Sequence, residues 1–179
     1  MRAPRSFILM LVALMALLIP GATADASTAS RVKHWTITTS SVGPLELGMS
    51  LAEVKKAGYD YYPCGGETGG HPCYFKGKLG KVMGFDVNGR DRVKQLMVNV
   101  ASGSGFAFKT EGGIKVGSTV EELKSALHPA HVGNYGYGEA FDIHSGKHRW
   151  MTFFATGSTA SDTIYSISVS TSRKPPQGR

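Results

Sequence analysis

Residues 43–58 read Gly-Pro-Leu-Glu-Leu-Gly-Met-Ser-Leu-Ala-Glu-Val-Lys-Lys-Ala-Gly, and residues 112–127 read Gly-Gly-Ile-Lys-Val-Gly-Ser-Thr-Val-Glu-Glu-Leu-Lys-Ser-Ala-Leu. The two stretches align without a gap at an offset of 69 residues. The identical positions are Gly43/Gly112, Gly48/Gly117, Glu53/Glu122, Lys55/Lys124 and Ala57/Ala126. Sequence similarity that recurs at a fixed offset is the signature of a repeated structural unit. The sequence therefore predicts two tandem repeats, at residues 34–102 and 103–171.

Each copy contains the pattern that starts a short α-helix. In residues 50–53 (Ser-Leu-Ala-Glu) and 119–122 (Thr-Val-Glu-Glu), the hydroxyl can accept a hydrogen bond from the amide three residues on. The glutamate carboxylate can accept one from the amide of the hydroxyl residue, which completes a capping box. The pattern predicts a helix that begins directly after the hydroxyl residue. Gly58 is expected to end the first helix, and Pro129 the second.

Strand patterns surround both helices. Alternating apolar residues and turn residues predict a leading strand before each helix and a three-stranded antiparallel meander after it. The predicted strands cover 34–39, 73–78, 81–87 and 92–100 in copy one, and 106–108, 139–144, 148–155 and 163–171 in copy two. Asn88-Gly89 is expected to form the turn of one hairpin. The expected fold is α+β, with an antiparallel sheet and the helices packed on one side. We expect residues 172–179 to be a disordered tail.

The first 26 residues have the pattern of a secretory signal peptide. Arg2 and Arg5 precede an apolar run at residues 7–19, and an Ala-x-Ala site follows. The run has 13 residues, fewer than the roughly 20 that a membrane-spanning helix needs, which disfavours a membrane anchor. We therefore expect a secreted protein, extracellular or periplasmic, without a membrane span. Cleavage is expected after Ala24 or Ala26.

Cys64 and Cys73 are the only cysteines, and they bracket a loop with four glycines. In an exported chain an even pair indicates a disulfide. Two alternatives are a redox pair and a zinc site. A redox pair usually has Cys-x-x-Cys spacing, which is absent here. A zinc site needs further ligands, and only His71 lies nearby in the sequence. The sequence therefore favours a structural disulfide.

The doubled helix start and the cysteine pair resemble a known family. Residues 47–54 (Leu-Gly-Met-Ser-Leu-Ala-Glu-Val), followed by Cys64, a glycine-rich loop and Cys73, resemble the β-lactamase inhibitor protein family. The resemblance implies two tandem helix-plus-sheet repeats whose concave sheet grips an enzyme. A more general resemblance is to the outer-membrane assembly lipoproteins of the small-protein-A type, which share one such helix motif. Both imply a bacterial protein.

The chain departs from both families at informative places. Family inhibitors carry an Asp- and Tyr-rich hairpin after the second cysteine, whereas residues 76–81 read Lys-Gly-Lys-Leu-Gly-Lys, with no Asp and the opposite charge. The lipoproteins need a cysteine at the cleavage site, and none stands there. The resemblance therefore extends to architecture and to binding in general, and not to inhibition of a β-lactamase.

Catalytic motifs are absent from the sequence. No Gly-x-Ser-x-Gly elbow and no phosphate loop with Gly-Lys-Ser/Thr occur, so we expect no enzyme and no cofactor. His144 and His148 flank a Ser-Gly-Lys turn, with Asp142 two residues earlier. Across a hairpin these side chains could meet around a metal ion, or they could simply form a polar turn. The incomplete ligand set favours the polar turn, and no metal site is assigned.

Tyrosines in loops are the feature most typical of binding. Five of them lie at matching places in the two copies and are the predicted partner-binding residues: Tyr61, Tyr62, Tyr74, Tyr135 and Tyr137. Tyrosine with glycine and asparagine gives large, rigid contacts and adaptable hydrogen bonds. The alternative is that these rings cap the edge of a small core, with their hydroxyls in water.

Three functional hypotheses follow. The first is a secreted, non-catalytic protein-binding module, inhibitor-like or acting in the cell envelope, with an unidentified extracellular or periplasmic protein as its partner. The second is a small secreted enzyme or metal-binding protein that uses His144 and His148, and the third is a purely structural envelope protein. The formal charge of +7 is compatible with anionic partners, but the lysines and arginines are scattered, which favours an ordinary solvated surface. A nucleic-acid module would have a denser basic stripe, so no nucleic acid is expected.

Overall fold

The computed structural model describes residues 32–65, 72–99, 105–134 and 138–172. The predicted signal peptide at 1–26 lies outside the described residues, as do Tyr135, Tyr137 and all but the first residue of the predicted tail. Among the described residues, no helix is both long enough and apolar enough to cross a membrane.

The described chain consists mainly of strands, with two α-helices. The strands are β1 (Lys33–Ile37), β2 (Ser41–Val42), β3 (Leu45–Glu46), β4 (Cys73–Tyr74), β5 (Met83–Val87), β6 (Val93–Asn99), β7 (Phe106–Thr110), β8 (Ala130–Asn134), β9 (Glu139–His144), β10 (Trp150–Ala155) and β11 (Ile164–Ser170). The helices are α1 (Leu51–Lys56) and α2 (Val120–Leu127), and a 3₁₀ turn covers Leu79–Lys81. Many strands with two short helices agree with the predicted α+β class and equally with a mainly β class.

Two sheets organise the fold. The smaller has four strands in the order β3-β2-β1-β7, and the larger has seven in the order β4-β5-β6-β11-β10-β9-β8. β1 and β7 are parallel, with Lys33 opposite Phe106. β6 and β11 are antiparallel, with Ile167 opposite Val98. Strands from the first and second halves of the chain therefore meet in both sheets.

Both helices begin as the capping boxes predict. The Ser50 hydroxyl accepts a hydrogen bond from the Glu53 amide at 3.3 Å, and the Glu53 carboxylate accepts one from the Ser50 amide at 2.7 Å. In the second helix the Thr119 hydroxyl accepts from the Glu122 amide at 3.1 Å, and the Glu122 carboxylate accepts from the Thr119 amide at 2.8 Å. Two amide donors at each helix start are thus satisfied by side chains, because the helix itself offers them no acceptor.

Each helix start docks on the last strand of its own half. The Gly48 amide donates to the Val93 carbonyl at 2.7 Å, and the Gly117 amide donates to the Ile164 carbonyl at 2.7 Å. The carbonyl groups of Asp91 and Asp162 likewise accept from the first helical amide in each half. The same backbone contacts therefore hold both helices against the large sheet.

The hydrophobic core lies on one face of the seven-stranded sheet. Phe85, Leu96 and Phe153 are among its fully buried residues, and the helices contribute Val54 and Leu123. Alternate residues of a strand point to opposite faces, so the neighbours of these residues line a second face. Phe154 and Ala140 are buried yet stand outside the core cluster, which places them on that second face.

Several local expectations differ from the structure. The strand predicted at 73–78 stops at Tyr74, because Gly77 takes a positive φ of 68° and the chain turns into the 3₁₀ segment. The loop after α2 contains a strand that was not predicted, β8. The turn at Asn88 is wider than an Asn-Gly pair: the Asn88 side chain accepts from two later amides, and Asp91, with φ of 51°, makes the left-handed turn.

Candidate functional site

The disulfide places a short segment beside the edge of the large sheet. Cys64 and Cys73 are bonded, with their Cα atoms 4.5 Å apart, which confirms the predicted disulfide. The Tyr62 amide donates to the Tyr74 carbonyl at 2.9 Å, and the Lys76 amide donates to the Asp60 carbonyl at 2.8 Å. Residues 60–62 therefore run antiparallel to residues 74–76 and extend the sheet beyond β4.

Alternation along these two segments separates the tyrosines. Tyr61 pairs with Phe75, and its ring meets Phe85 edge to face at 5.4 Å, on the core side. Tyr62 and Tyr74 point the other way and are 56% and 52% exposed. They stand across from one another, since the Tyr62 amide bonds to the Tyr74 carbonyl. The structure thus brings together two of the predicted tyrosines on a solvent-facing surface.

Tyr61 has a supporting position. Its ring packs against the core cluster, and the Lys55 ammonium lies 5.3 Å from the ring centre. Burial raises the pKa of the Tyr61 hydroxyl, and the negative charges of Asp91 and Asp60 act in the same direction. The Tyr61 hydroxyl is therefore neutral at physiological pH.

We call the exposed surface formed by Tyr62, Tyr74 and Lys76 the tyrosine ridge. The Lys76 ammonium lies 5.8 Å from the centre of the Tyr62 ring, within the range of a cation–π contact. A Cβ atom at Gly84 would lie 3.8 Å from two carbon atoms of the Tyr74 ring, so this ring rests across bare backbone. Backbone pairing, the disulfide and these contacts restrict both rings before any partner arrives.

Buried polar side chains form two separate hydrogen bonds on the second face of the sheet. The Thr152 hydroxyl donates to the Asp142 carboxylate at 2.6 Å, and the Gln95 amide group donates to the Ser168 hydroxyl at 2.6 Å. These four side chains are buried. Hydrogen bonding satisfies buried polar groups, so these two bonds stabilise the sheet and offer a partner little. Serines that look like ordinary surface residues in the sequence gave no signal of this burial.

The histidine candidates lie on the β9–β10 hairpin. His144 is opposite Trp150, and their ring centres are 5.2 Å apart. His148 is exposed in the turn, and Asp142 is buried against Thr152. Within the described ranges, no group of three or more His, Cys, Asp or Glu side chains is placed to hold a metal ion. The structure therefore adds no third ligand to the histidine pair.

Lys76 was missed as a site residue, because in the sequence it is one of several scattered lysines. Its position two residues after Tyr74 was the available signal, since residues two apart in an extended segment share a face.

Compared with known proteins, the chain matches no family model, no curated protein and no solved structure.

Proposed function

We propose that this chain is a secreted, non-catalytic protein-binding module that contacts its partner through the tyrosine ridge. The observation that carries the proposal is the pair of opposed rings, Tyr62 and Tyr74, each more than half exposed on backbone that is tied down by pairing and by the disulfide. Apart from Val32, they are the exposed large hydrophobic residues of the described chain.

The chemistry of the ridge suits protein recognition. Tyrosine buries a large apolar area on binding while its hydroxyl can form a hydrogen bond, and few rotatable bonds have to be frozen. Tyrosine and arginine are enriched among the residues that dominate binding energy at interfaces. Restricting the two rings in advance reduces the entropy that binding costs. Tyr135 and Tyr137 extend the proposal to the second half of the chain.

Export is part of the proposal. The basic start, short apolar run and small-residue site of residues 1–26 support secretion, and a disulfide is stable in an oxidising compartment. The partner is then an extracellular or periplasmic protein. The resemblance to inhibitor proteins supports a binding role of the same kind, directed at a target other than a β-lactamase.

The two halves of the chain are further proposed to be copies of one unit, related by tandem duplication. Two capping boxes and two matching sets of helix-start contacts occur at offsets of about 70 residues along the chain. Val54 and Leu123 hold corresponding helical positions and are buried in the same core cluster. A duplication that places both helices on one side of the sheet accounts for these correspondences.

Affinity capture tests the binding role. Immobilised wild-type protein and a Tyr62→Ala/Tyr74→Ala variant are exposed to the medium and periplasmic extract of the producing organism. We expect one protein to be retained by the wild type and lost with the double variant. Tyr62→Phe/Tyr74→Phe is the matched control, because it keeps both rings and removes only the hydroxyls. Equal retention by the alanine variant, with unchanged circular dichroism, overturns the proposal.

A further inference from the structure

A cleft of about 340 Å³ lies where the two sheets and the end of α1 meet. It is separate from the exposed rings of the tyrosine ridge and shares only Lys76 with it. Its lining includes Lys33, Gly58, Tyr59, Lys78, Gly105 and Phe106. Pockets of this size hold small molecules, which are usually recognised by apolar walls and a few polar groups.

The walls of the cleft are aromatic and fixed from behind. The buried Trp35 ring meets Tyr59 edge to face at 5.5 Å and Phe106 at 5.1 Å. Tyr59 in turn meets Phe75 at 6.3 Å. Edge-to-face contacts of this kind hold ring orientation, so the aromatic walls are formed before any ligand enters.

The rim of the cleft is positively charged. The lining holds three lysines, Lys33, Lys76 and Lys78, and one carboxylate, that of Asp60. The Lys76 ammonium lies over the Tyr62 ring of the ridge, which leaves Lys33 and Lys78 to the cleft. Among the described residues, none of these three lysines forms an ion pair, although Lys33 lies over the Phe106 ring at 5.9 Å. Clefts lined by one sign of charge concentrate ligands of the opposite sign. An anion is therefore the ligand that the rim favours.

We propose that this cleft binds a small organic anion: a phosphate or carboxylate group carried on a flat apolar body. The body packs between the half-buried rings of Tyr59 and Phe106, and the anionic group is held by the ammonium groups of Lys33 and Lys78. An inorganic anion would leave the aromatic walls uncovered, and a neutral ring would leave the lysines unpaired. Affinity thus requires both parts in one molecule. The site stands independently of the proposed protein partner.

Amide NMR titrations at low ionic strength test the proposal on the full mature protein. Phenyl phosphate and benzoate are the anionic aromatic probes, benzyl alcohol is the neutral aromatic, and inorganic phosphate is the anion without a ring. We expect saturable shifts at Gly58 and Gly105 with the first two probes. Benzyl alcohol and inorganic phosphate are expected to bind at least about tenfold more weakly.

Charge variants locate the binding energy. Lys33→Gln/Lys78→Gln is expected to weaken phenyl phosphate binding about tenfold. Lys147→Gln, in the turn between β9 and β10, is the matched control and should bind as the wild type does. Both sets of changes lie on exposed side chains, so the fold is retained. Equal binding of benzyl alcohol, absence of saturable shifts at the two glycines, or wild-type affinity of the double variant overturns the proposal.

Discussion

Replacing Gly43 with alanine tests how firmly Trp35 is held in the core. Gly43 has a φ of +58°, and a Cβ atom there would lie 2.5–2.8 Å from three atoms of the Trp35 ring. The ring cannot move aside freely, because it contacts Tyr59, Phe106 and Phe108 at centroid distances of 5.5, 5.1 and 5.6 Å. A methyl group at this position therefore forces the backbone or the aromatic cluster to shift.

Two separate costs make up the expected loss of stability. An alanine in left-handed backbone costs about 1–2 kcal/mol, and overpacking a filled core costs about 1–3 kcal/mol. Together they predict a fall of about 2–5 kcal/mol in the free energy of unfolding for Gly43→Ala. Gly146→Ala is the matched control, since Gly146 has a similar φ of +66° and a Cβ atom there would meet nothing within 4 Å. It should lose only about 1–2 kcal/mol.

Urea unfolding followed by tryptophan fluorescence measures both variants. With a urea dependence of about 2 kcal/mol per molar for a domain of this size, Gly43→Ala should move the midpoint about 1–2.5 M below that of the wild type. Gly146→Ala should move it by at most about 1 M. Equal midpoints for the two variants refute the reasoning, because the clash with Trp35 would then cost nothing.

Four further substitutions have definite expected results. Ser50→Ala and Thr119→Ala should each lower stability by about 1 kcal/mol in thermal unfolding, because each removes one capping box. Hydrogen bonds from the Thr159 hydroxyl and amide lower the pKa of Asp162; the stability that this carboxylate contributes is present above its ordinary pKa and lost as pH falls through the lowered value. Asp162→Asn should therefore destabilise the protein at neutral pH and have little effect in strong acid, as urea titrations at several pH values would reveal. Cys64→Ser should cost about 2–3 kcal/mol by loss of loop closure, with faster hydrogen exchange beside the ridge.

The local elements of the fold could be predicted from sequence because their causes are local. A capping box needs only two residues three apart, so both helix starts were located correctly, and the later strands of both meanders were found from alternation. The parallel pairing of β1 with β7 could not be predicted in this way. It joins Lys33 to Phe106 across more than 70 residues, and nothing near either residue specifies the other.

The candidate site, like the fold, could be predicted from the sequence only where its causes are local. Their place in loops beside the cysteine pair was enough to mark Tyr62 and Tyr74 as candidates, although not to separate them from Tyr61, which the pairing with Phe75 turns toward the core. The positively charged cleft could not be predicted from the sequence. Its walls come from four separate segments, and Lys33 has no sequence neighbour that shares the site.

The binding claim is tested most directly by titrating the captured partner against three forms of the protein in a calorimeter. Tyr62→Ala/Tyr74→Ala should raise the dissociation constant at least about thirtyfold. This corresponds to a loss of about 2 kcal/mol of binding free energy, as expected for a dominant interface residue. Tyr62→Phe/Tyr74→Phe should bind within about fivefold of the wild type, because the rings supply most of the buried area. A dissociation constant unchanged by the alanine substitutions would contradict the assignment of the tyrosine ridge as the partner-binding surface.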